Sequence, residues 1–355
     1  MTNSGLAENS LKNINKSNTK KGVLLVNLGT PKSPEPSDIR TYLDEFLSDP
    51  RVIDINGFAR FMLLKFIILP TRPKRVSKSY KEIWLENGSP LLIYSQDVKE
   101  KLQKKLGDEY HVELAMRYGD PSLERALNIF KSNKYDYINV IPLFPQYASA
   151  STASVIEKIM SIVKNWQNIP SLDIKSYFYN DANYISANVE IAKKYLEEKY
   201  DHILFSFHGI PERQIKNGDE SNYCQFNSCC ETINEKNQFC YRAQCFQTAY
   251  QIADKLNLKK DDFTICFQSR LGRTPWIKPY TDHILKEMAD KGYKKLLVFA
   301  PSFVSDCLET VFEISIEYDL LFKSYGGEKV QLIESLNNHD VWVDALEKMV
   351  LEKSK

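Results

Sequence analysis

Short apolar runs rich in Val, Ile and Leu alternate along this chain with longer stretches of helical period. Strands are predicted at Val23–Leu28, Val112–Met116, Tyr137–Leu143, Ile203–Phe207, Phe263–Phe267 and Lys295–Ala300. These runs are apolar on both faces, as expected of parallel strands covered by helices on either side. Helical patterns fall between them, at Asp97–Leu106, Leu123–Lys131, Ala187–Lys199 and Thr281–Lys291. Alternation at this spacing predicts a doubly wound α/β architecture.

The pattern also suggests a chain built twice. Leu25-Val-Asn-Leu-Gly-Thr-Pro31 parallels Phe205-Ser-Phe-His-Gly-Ile-Pro211, and Ile141-Pro-Leu-Phe144 parallels Ala300-Pro-Ser-Phe303. Two similar halves would meet near residues 180–190. Leu28 then occupies in the first half the place that His208 takes in the second, so the chemistry belongs mainly to the second. No G-x-G-x-x-G and no G-x-x-x-x-G-K-[ST] occurs, so the sheets come without a nucleotide fingerprint.

Composition narrows the class. With 355 residues, 43% hydrophobic and 26% charged, the chain has a globular profile and room for one large or two ordinary domains. A formal net charge of +1 gives no broad basic field, so no nucleic-acid partner is expected. Residues 1–20 are polar and Asn- and Ser-rich, and are read as a flexible tail without the apolar core of a secretory signal. A cytoplasmic location is the expectation. No run of 18 apolar residues suits a spanning helix. The segment Ile55–Pro70, followed by Arg72, Lys74, Arg75 and Lys78, suits either a membrane surface or a core helix ending at Pro70.

Three constellations can carry chemistry. His208, in Ser206-Phe-His-Gly-Ile-Pro-Glu-Arg213, stands where a buried strand turns, and an imidazole there exchanges protons near neutrality. The alternative is a histidine satisfied within its loop. Pro301-Ser-Phe-Val-Ser-Asp-Cys-Leu-Glu-Thr310 places Asp306 and Glu309 at a helix start, and Glu309, Glu313 and Glu317 recur every four residues. Such a stripe is either a solvated face or a path for a divalent cation, and carboxylates suit partly hydrated Fe²⁺. Arg117, Tyr118, Tyr147 and Trp276 each follow a predicted strand, on the side where α/β folds bind ligands. Flat aromatic rings suit a flat macrocycle and arginines suit carboxylates, although core packing explains any one of them alone. Five of the seven cysteines (Cys224, Cys229, Cys230, Cys240 and Cys245) crowd into 22 residues.

Together these residues resemble the ferrochelatase family, from about Val23 to Leu332. The opening resembles it in Leu25–Pro31, in Tyr42-Leu-Asp-Glu-Phe-Leu-Ser-Asp-Pro-Arg-Val-Ile53 and in Asn87-Gly-Ser-Pro90. The pocket motifs are Arg117-Tyr118, Pro145-Gln-Tyr147, Ser206-x-His-Gly-Ile-Pro211, Gln268-Ser-Arg-x-Gly272 with Trp276, and Asp306-x-x-Glu-Thr310. The resemblance implies two Rossmann-like domains around a porphyrin cleft, at 21–185 and 186–335, with a C-terminal helix in 336–355. It implies iron insertion, with Fe²⁺ and protoporphyrin IX as partners and coproporphyrin III as the alternative ring. His208 would accept pyrrole protons with Glu309 opposite, Asp306 supporting, and Glu313 and Glu317 leading iron in. Tyr42, Arg72, Arg117, Tyr118, Tyr147 and Trp276 would hold the ring. An apolar pocket lip near 55–70 would make the protein peripheral on the inner face of the cytoplasmic membrane. Cys307 stands where many relatives carry histidine, and is left outside the catalytic set. The resemblance also marks an insert of about 18 residues that brings four of the clustered cysteines. Some members carry a [2Fe–2S] cluster on internal cysteines; here Cys224, Cys240, Cys245 and one of Cys229 or Cys230 are the expected ligands. Zinc or unliganded thiols are the alternatives. Two other functions compete: a cobalt or sirohydrochlorin chelatase, and a haem-binding or redox-sensing module. Oligomeric state is not legible.

Overall fold

The computed structural model describes residues 20–272 and 274–352. The expectation of a flexible tail falls on residues 1–19, outside the described residues, apart from Lys20. Two parallel four-stranded sheets form the frame. In the first, β1 (Lys21–Gly29) lies between β2 (Tyr110–Tyr118) and β3 (Tyr137–Pro142), and β4 (Ser171–Ile174) extends past β3. In the second, β5 (His202–His208) lies between β6 (Phe263–Gln268) and β7 (Lys295–Phe299), with β8 (Lys329–Leu332) outside β7. The orders β2-β1-β3-β4 and β6-β5-β7-β8 are the same, so the expected internal repeat holds at the level of topology. β1 ends on Leu28-Gly29 and β5 on His208 followed by Gly209.

The central strands are apolar on both sides because both sides are covered. Val23 to Val26 and Leu204 to Phe207 are fully buried. The six predicted strands are present within a residue or two at each end. Two strands are added, β4 (SLDI) and β8 (KVQL). Both are four-residue edge strands, β4 without a buried position and β8 alternating half-exposed and buried ones, so neither shows an uninterrupted apolar run.

Two helical expectations need correction. The helix expected over 187–199 runs instead from Ala182 to Ala192, because the Asp181 carboxylate accepts the Asn183 and Tyr184 N–H groups (both 2.9 Å) and starts it earlier. The polar stretch that follows is a series of turns. Nor does a helix end at Pro70. A short helix Gly57–Met62, capped by Asn56, passes through a π-helical turn at Leu63–Ile68 into a helix Leu69–Ile83. Pro70 sits in the first turn of that helix and Pro73 inside it, so the helical run continues through both prolines. The apolar side of this segment is open: Phe58 is 74% exposed, Phe66 65% and Ile67 63%. No helix among the described residues is long and apolar enough to cross a membrane.

The last helix, Asp340–Leu351, buries Trp342 against Phe178 and Tyr184, with ring centroids 5.8 and 6.2 Å apart. Lys101 and Lys105, on the helix Pro90–Leu106 of the first half, pair with Asp340 and Asp344.

Candidate active site

The carboxyl ends of β5, β6 and β7 gather most of the candidate chemistry. His208 ends β5, half-buried, with Nδ1 2.5 Å from the Gly209 carbonyl oxygen. A carbonyl only accepts, so Nδ1 carries the proton and Nε2 keeps the basic lone pair. The ring lies 6.5 Å from Trp276 and 6.2 Å from Phe303, centroid to centroid. Gly209 is required by packing: a Cβ there would stand 2.9 Å from the Gln268 carbonyl oxygen and 3.3 Å from the Trp276 ring.

Gln268 joins His208 to the carboxylate stripe. It is the register partner of His208 across β5 and β6, and it is buried. Its Nε2 donates to the Glu309 carbonyl oxygen (2.7 Å) and to Glu313 Oε2 (3.2 Å), while its Oε1 accepts from the Ser206 hydroxyl (2.7 Å). The stripe lies on a π-helical segment, Leu308–Tyr318, whose wider turn still keeps Glu309, Glu313 and Glu317 on one side. Glu313 is held firmly: besides Gln268, it accepts from the Ser269 N–H (2.9 Å), the Ser269 hydroxyl and the Tyr318 hydroxyl (2.8 Å). Burial pushes the Glu317 carboxyl up, as does the neighbouring Glu313, and Arg75 opposes them. Glu309 faces the lip side. Its charge acts on Arg72 and on the buried hydroxyls of Tyr42 and Tyr80, both raised well above the usual phenol value, first by burial.

The other expected ring-holding residues divide. Tyr42 is buried and donates to the Gly29 carbonyl oxygen (3.2 Å). Arg72 is mostly buried, with an Nε that has no partner among the described residues. Arg117 and Tyr118 belong to a supporting network, with the guanidinium 4.4 Å above the Tyr118 ring. Asp49 accepts from Arg117 (2.6 Å), Tyr118 (2.8 Å), Ser154 (2.6 Å) and the Arg51 N–H (2.7 Å), and Arg117 also donates to the Ser154 hydroxyl (2.7 Å). Tyr118 is fully buried, so in this arrangement it braces the wall without lining it. Asp306 is likewise inward. It accepts from Asn337 (2.7 Å), Thr310 (2.9 Å) and the Ser335 N–H (3.3 Å), tying the turn after β7 to the segment after β8. Cys307 is buried beside Glu309, and burial pushes its thiol far up. Tyr147 follows β3 at the carboxyl end of the first sheet, its ring 5.4 Å from Phe239.

The cysteines form a chain of neighbours. Cys229 and Cys230 have sulfurs 3.8 Å apart, Cys224 is beside Cys229, and the Cys230 thiol hydrogen-bonds Cys240. That bond helps hold Cys240 below the ordinary thiol value, whereas burial pushes Cys224 up to about 11. Cys245 is fully buried in the helix Tyr241–Lys255, against the Tyr241 hydroxyl and close enough to Cys230 to feel its charge. Among the described residues no three Cys, His, Asp or Glu side chains are arranged to hold a single metal ion.

Gln268, Asp49 and Phe303 acquire roles that the sequence reading did not give them. Gln268 was visible only as part of a motif at the end of a strand, and Asp49 as one letter in an opening motif. Nothing in the sequence announced that four donors converge on Asp49.

The family model described as Ferrochelatase matches residues 20–354. A Legionella pneumophila (strain Lens) protein named ferrochelatase is 45% identical over 334 residues, covering 94% of this chain and 99% of its own length. A Coxiella burnetii (strain CbuK_Q154) ferrochelatase is 45% identical over 336 residues, covering 94% of each. Among solved structures, the protein titled SirB from Bacillus subtilis with Fe3+ aligns with a TM-score of 0.53 at 12% identity, over 94% of this chain and 95% of its own. The sirohydrochlorin chelatase SirB from Bacillus subtilis subspecies spizizenii, in complex with cobalt, aligns with a TM-score of 0.52 at 12% identity, over the same shares. At that identity the likeness speaks for the fold.

Proposed function

The chain belongs to the ferrochelatase family of metal chelatases, and on that premise we propose that it inserts Fe²⁺ into protoporphyrin IX, with His208 and Glu309 as the reacting pair. The observation that carries this reading is the Gln268 bridge. It links the strand end bearing His208 to the π-helical segment bearing Glu309, so the base and the carboxylates share one scaffold.

The chemistry follows from what insertion demands. A free-base porphyrin holds two protons where iron must sit, so the ring must bend, lose both protons and meet an iron ion stripped of water. His208 Nε2 is the neutral acceptor for pyrrole protons. A pocket shaped to a bent ring favours the transition state over the flat substrate. Glu309 receives the iron or the second proton, and Glu317, at the more exposed end of the stripe, is the first carboxylate the ion meets. Glu313, held by Gln268, Ser269 and Tyr318, keeps the stripe in register. Trp276, Phe303 and Tyr147 contact the macrocycle, with Tyr42 and Arg72 on the lip side. Arg117, Tyr118 and Asp306 act through the walls they support. Residues 21–185 and 186–335 are the two domains of this reading.

The cysteine insert fits an iron–sulfur cluster better than a single hard cation, since its donors are thiols arranged in a row. Cys224, Cys240, Cys245 and one of Cys229 or Cys230 would hold a [2Fe–2S] cluster, which supplies one-electron redox chemistry when bound. An anaerobic Fe²⁺ insertion assay with protoporphyrin IX and coproporphyrin III tests the function, and the spectrum of the purified protein tests the cluster. Faster turnover of protoporphyrin IX is expected; no insertion into either ring would end the reading. A colourless protein without inorganic sulfide would end the cluster.

We place the protein in the cytoplasm with its lip on the inner face of the membrane. Phe58, Phe61, Phe66 and Ile67 are exposed beside basic residues, a pairing that suits an anionic lipid surface. Replacing Phe58 and Phe66 together by serine should lower the binding constant for anionic phospholipid vesicles, read by co-sedimentation, by up to about a thousandfold, at roughly 2 kcal/mol per ring. Equal sedimentation of parent and variant would refute the lip.

A further inference from the structure

One turn at the end of the cysteine insert touches both the strand end that carries His208 and the segment that carries Tyr147. Cys240 is the N-cap of the helix Tyr241–Lys255, and the residues on either side of it point to different parts of the site. The Tyr241 hydroxyl donates to the His208 carbonyl oxygen (2.8 Å) and lies 3.1 Å from the Ser302 hydroxyl. Its ring is buried. The Phe239 ring packs edge-on against Tyr147, with an interplanar angle of 64°, and lies 6.0 Å from the Tyr177 ring. One turn along the helix, Gln244 accepts from the Tyr147 N–H (2.7 Å) and donates to the Gln238 carbonyl oxygen (2.6 Å).

We propose that the Phe239–Tyr241 turn is a positioning element of the site: Tyr241 fixes the backbone that carries His208, and Phe239 braces Tyr147. This rests on the ferrochelatase reading for the role of His208. The two contacts do different things. A hydrogen bond to the carbonyl of His208 sets where the end of β5 sits, and the imidazole follows that backbone. Phe239 is 51% exposed, so its burial adds little to global stability. What it supplies is an edge that limits the tilt of the Tyr147 ring. Their shared anchor is Cys240, whose thiol touches Cys230, so the conformation of the whole insert is mechanically joined to the pocket.

The test uses the full chain with two readouts: protoporphyrin IX binding by fluorescence titration without iron, and anaerobic insertion rates. Tyr241→Phe keeps the ring and removes the hydroxyl together with its hydrogen bond to the His208 carbonyl, so kcat should fall about fivefold while the porphyrin Kd is unchanged. Phe239→Ala should raise the porphyrin Kd about fivefold, the worth of one aromatic pair, and Phe239→Tyr should restore it. The proposal is overturned if both variants match the parent in both readouts. It is also overturned if Kd and kcat shift together in each, the mark of a merely structural turn. A parent chain that binds porphyrin but inserts no iron would end the functional reading, while the Phe239 arm would still be decided by binding alone.

Discussion

Replacing His208 by alanine is expected to lower iron insertion at least about a hundredfold, the usual worth of a positioned general base. The reason lies in its tautomer. With Nδ1 committed to the Gly209 carbonyl, Nε2 is the nitrogen free to take a pyrrole proton, and the other imidazole of β5, His202, sits at the opposite end of the strand. The alanine variant should still bind protoporphyrin IX, since Trp276, Phe303 and Tyr147 are untouched. Initial rates measured beside fluorescence titrations separate the two effects. Normal turnover by the variant would remove His208 from the mechanism.

Asp49→Ala should destabilise the protein by about 3–5 kcal/mol, because it leaves the guanidinium of Arg117 buried without its counter-charge. Asp49 is only 5% exposed in its side chain and gathers four donors, so little solvent is available to replace them. Denaturant unfolding of parent and variant measures the loss; a change below about 1 kcal/mol would show that the network is slack. The same carboxyl gives a pH signature. Burial alone would raise it, but the Ser154, Arg51 and Tyr118 donors and the Arg117 charge outweigh burial and hold it below its ordinary value. A depressed native value means that its contribution is complete above the unfolded carboxyl, near pH 4, and is lost as pH falls through the lower native value. The parent should therefore lose stability in that acid range more steeply than Asp49→Asn.

These two residues mark what a sequence can and cannot disclose. His208 was legible because a parallel strand buried on both faces leaves a plain apolar run, and the residue that ends it stands at a known side of the sheet. Glu309 was legible through its four-residue spacing to Glu313 and Glu317. Asp49 was not, because its partners come from positions 51, 117, 118 and 154, and convergence of distant donors leaves no local pattern. Gln268 escaped for a related reason: its role depends on cross-strand register with His208. The edge strands β4 and β8 were missed because a half-exposed tetrapeptide carries too few apolar positions to stand out.

The last helix gives the molecule a property that its two sheets would not suggest. Trp342 packs against Phe178 and Tyr184, while Lys101 and Lys105 pair with the same helix from the first half. Domains joined by a slender polar contact are free to swing, but an apolar seam of this kind resists it. The two halves therefore share one keel.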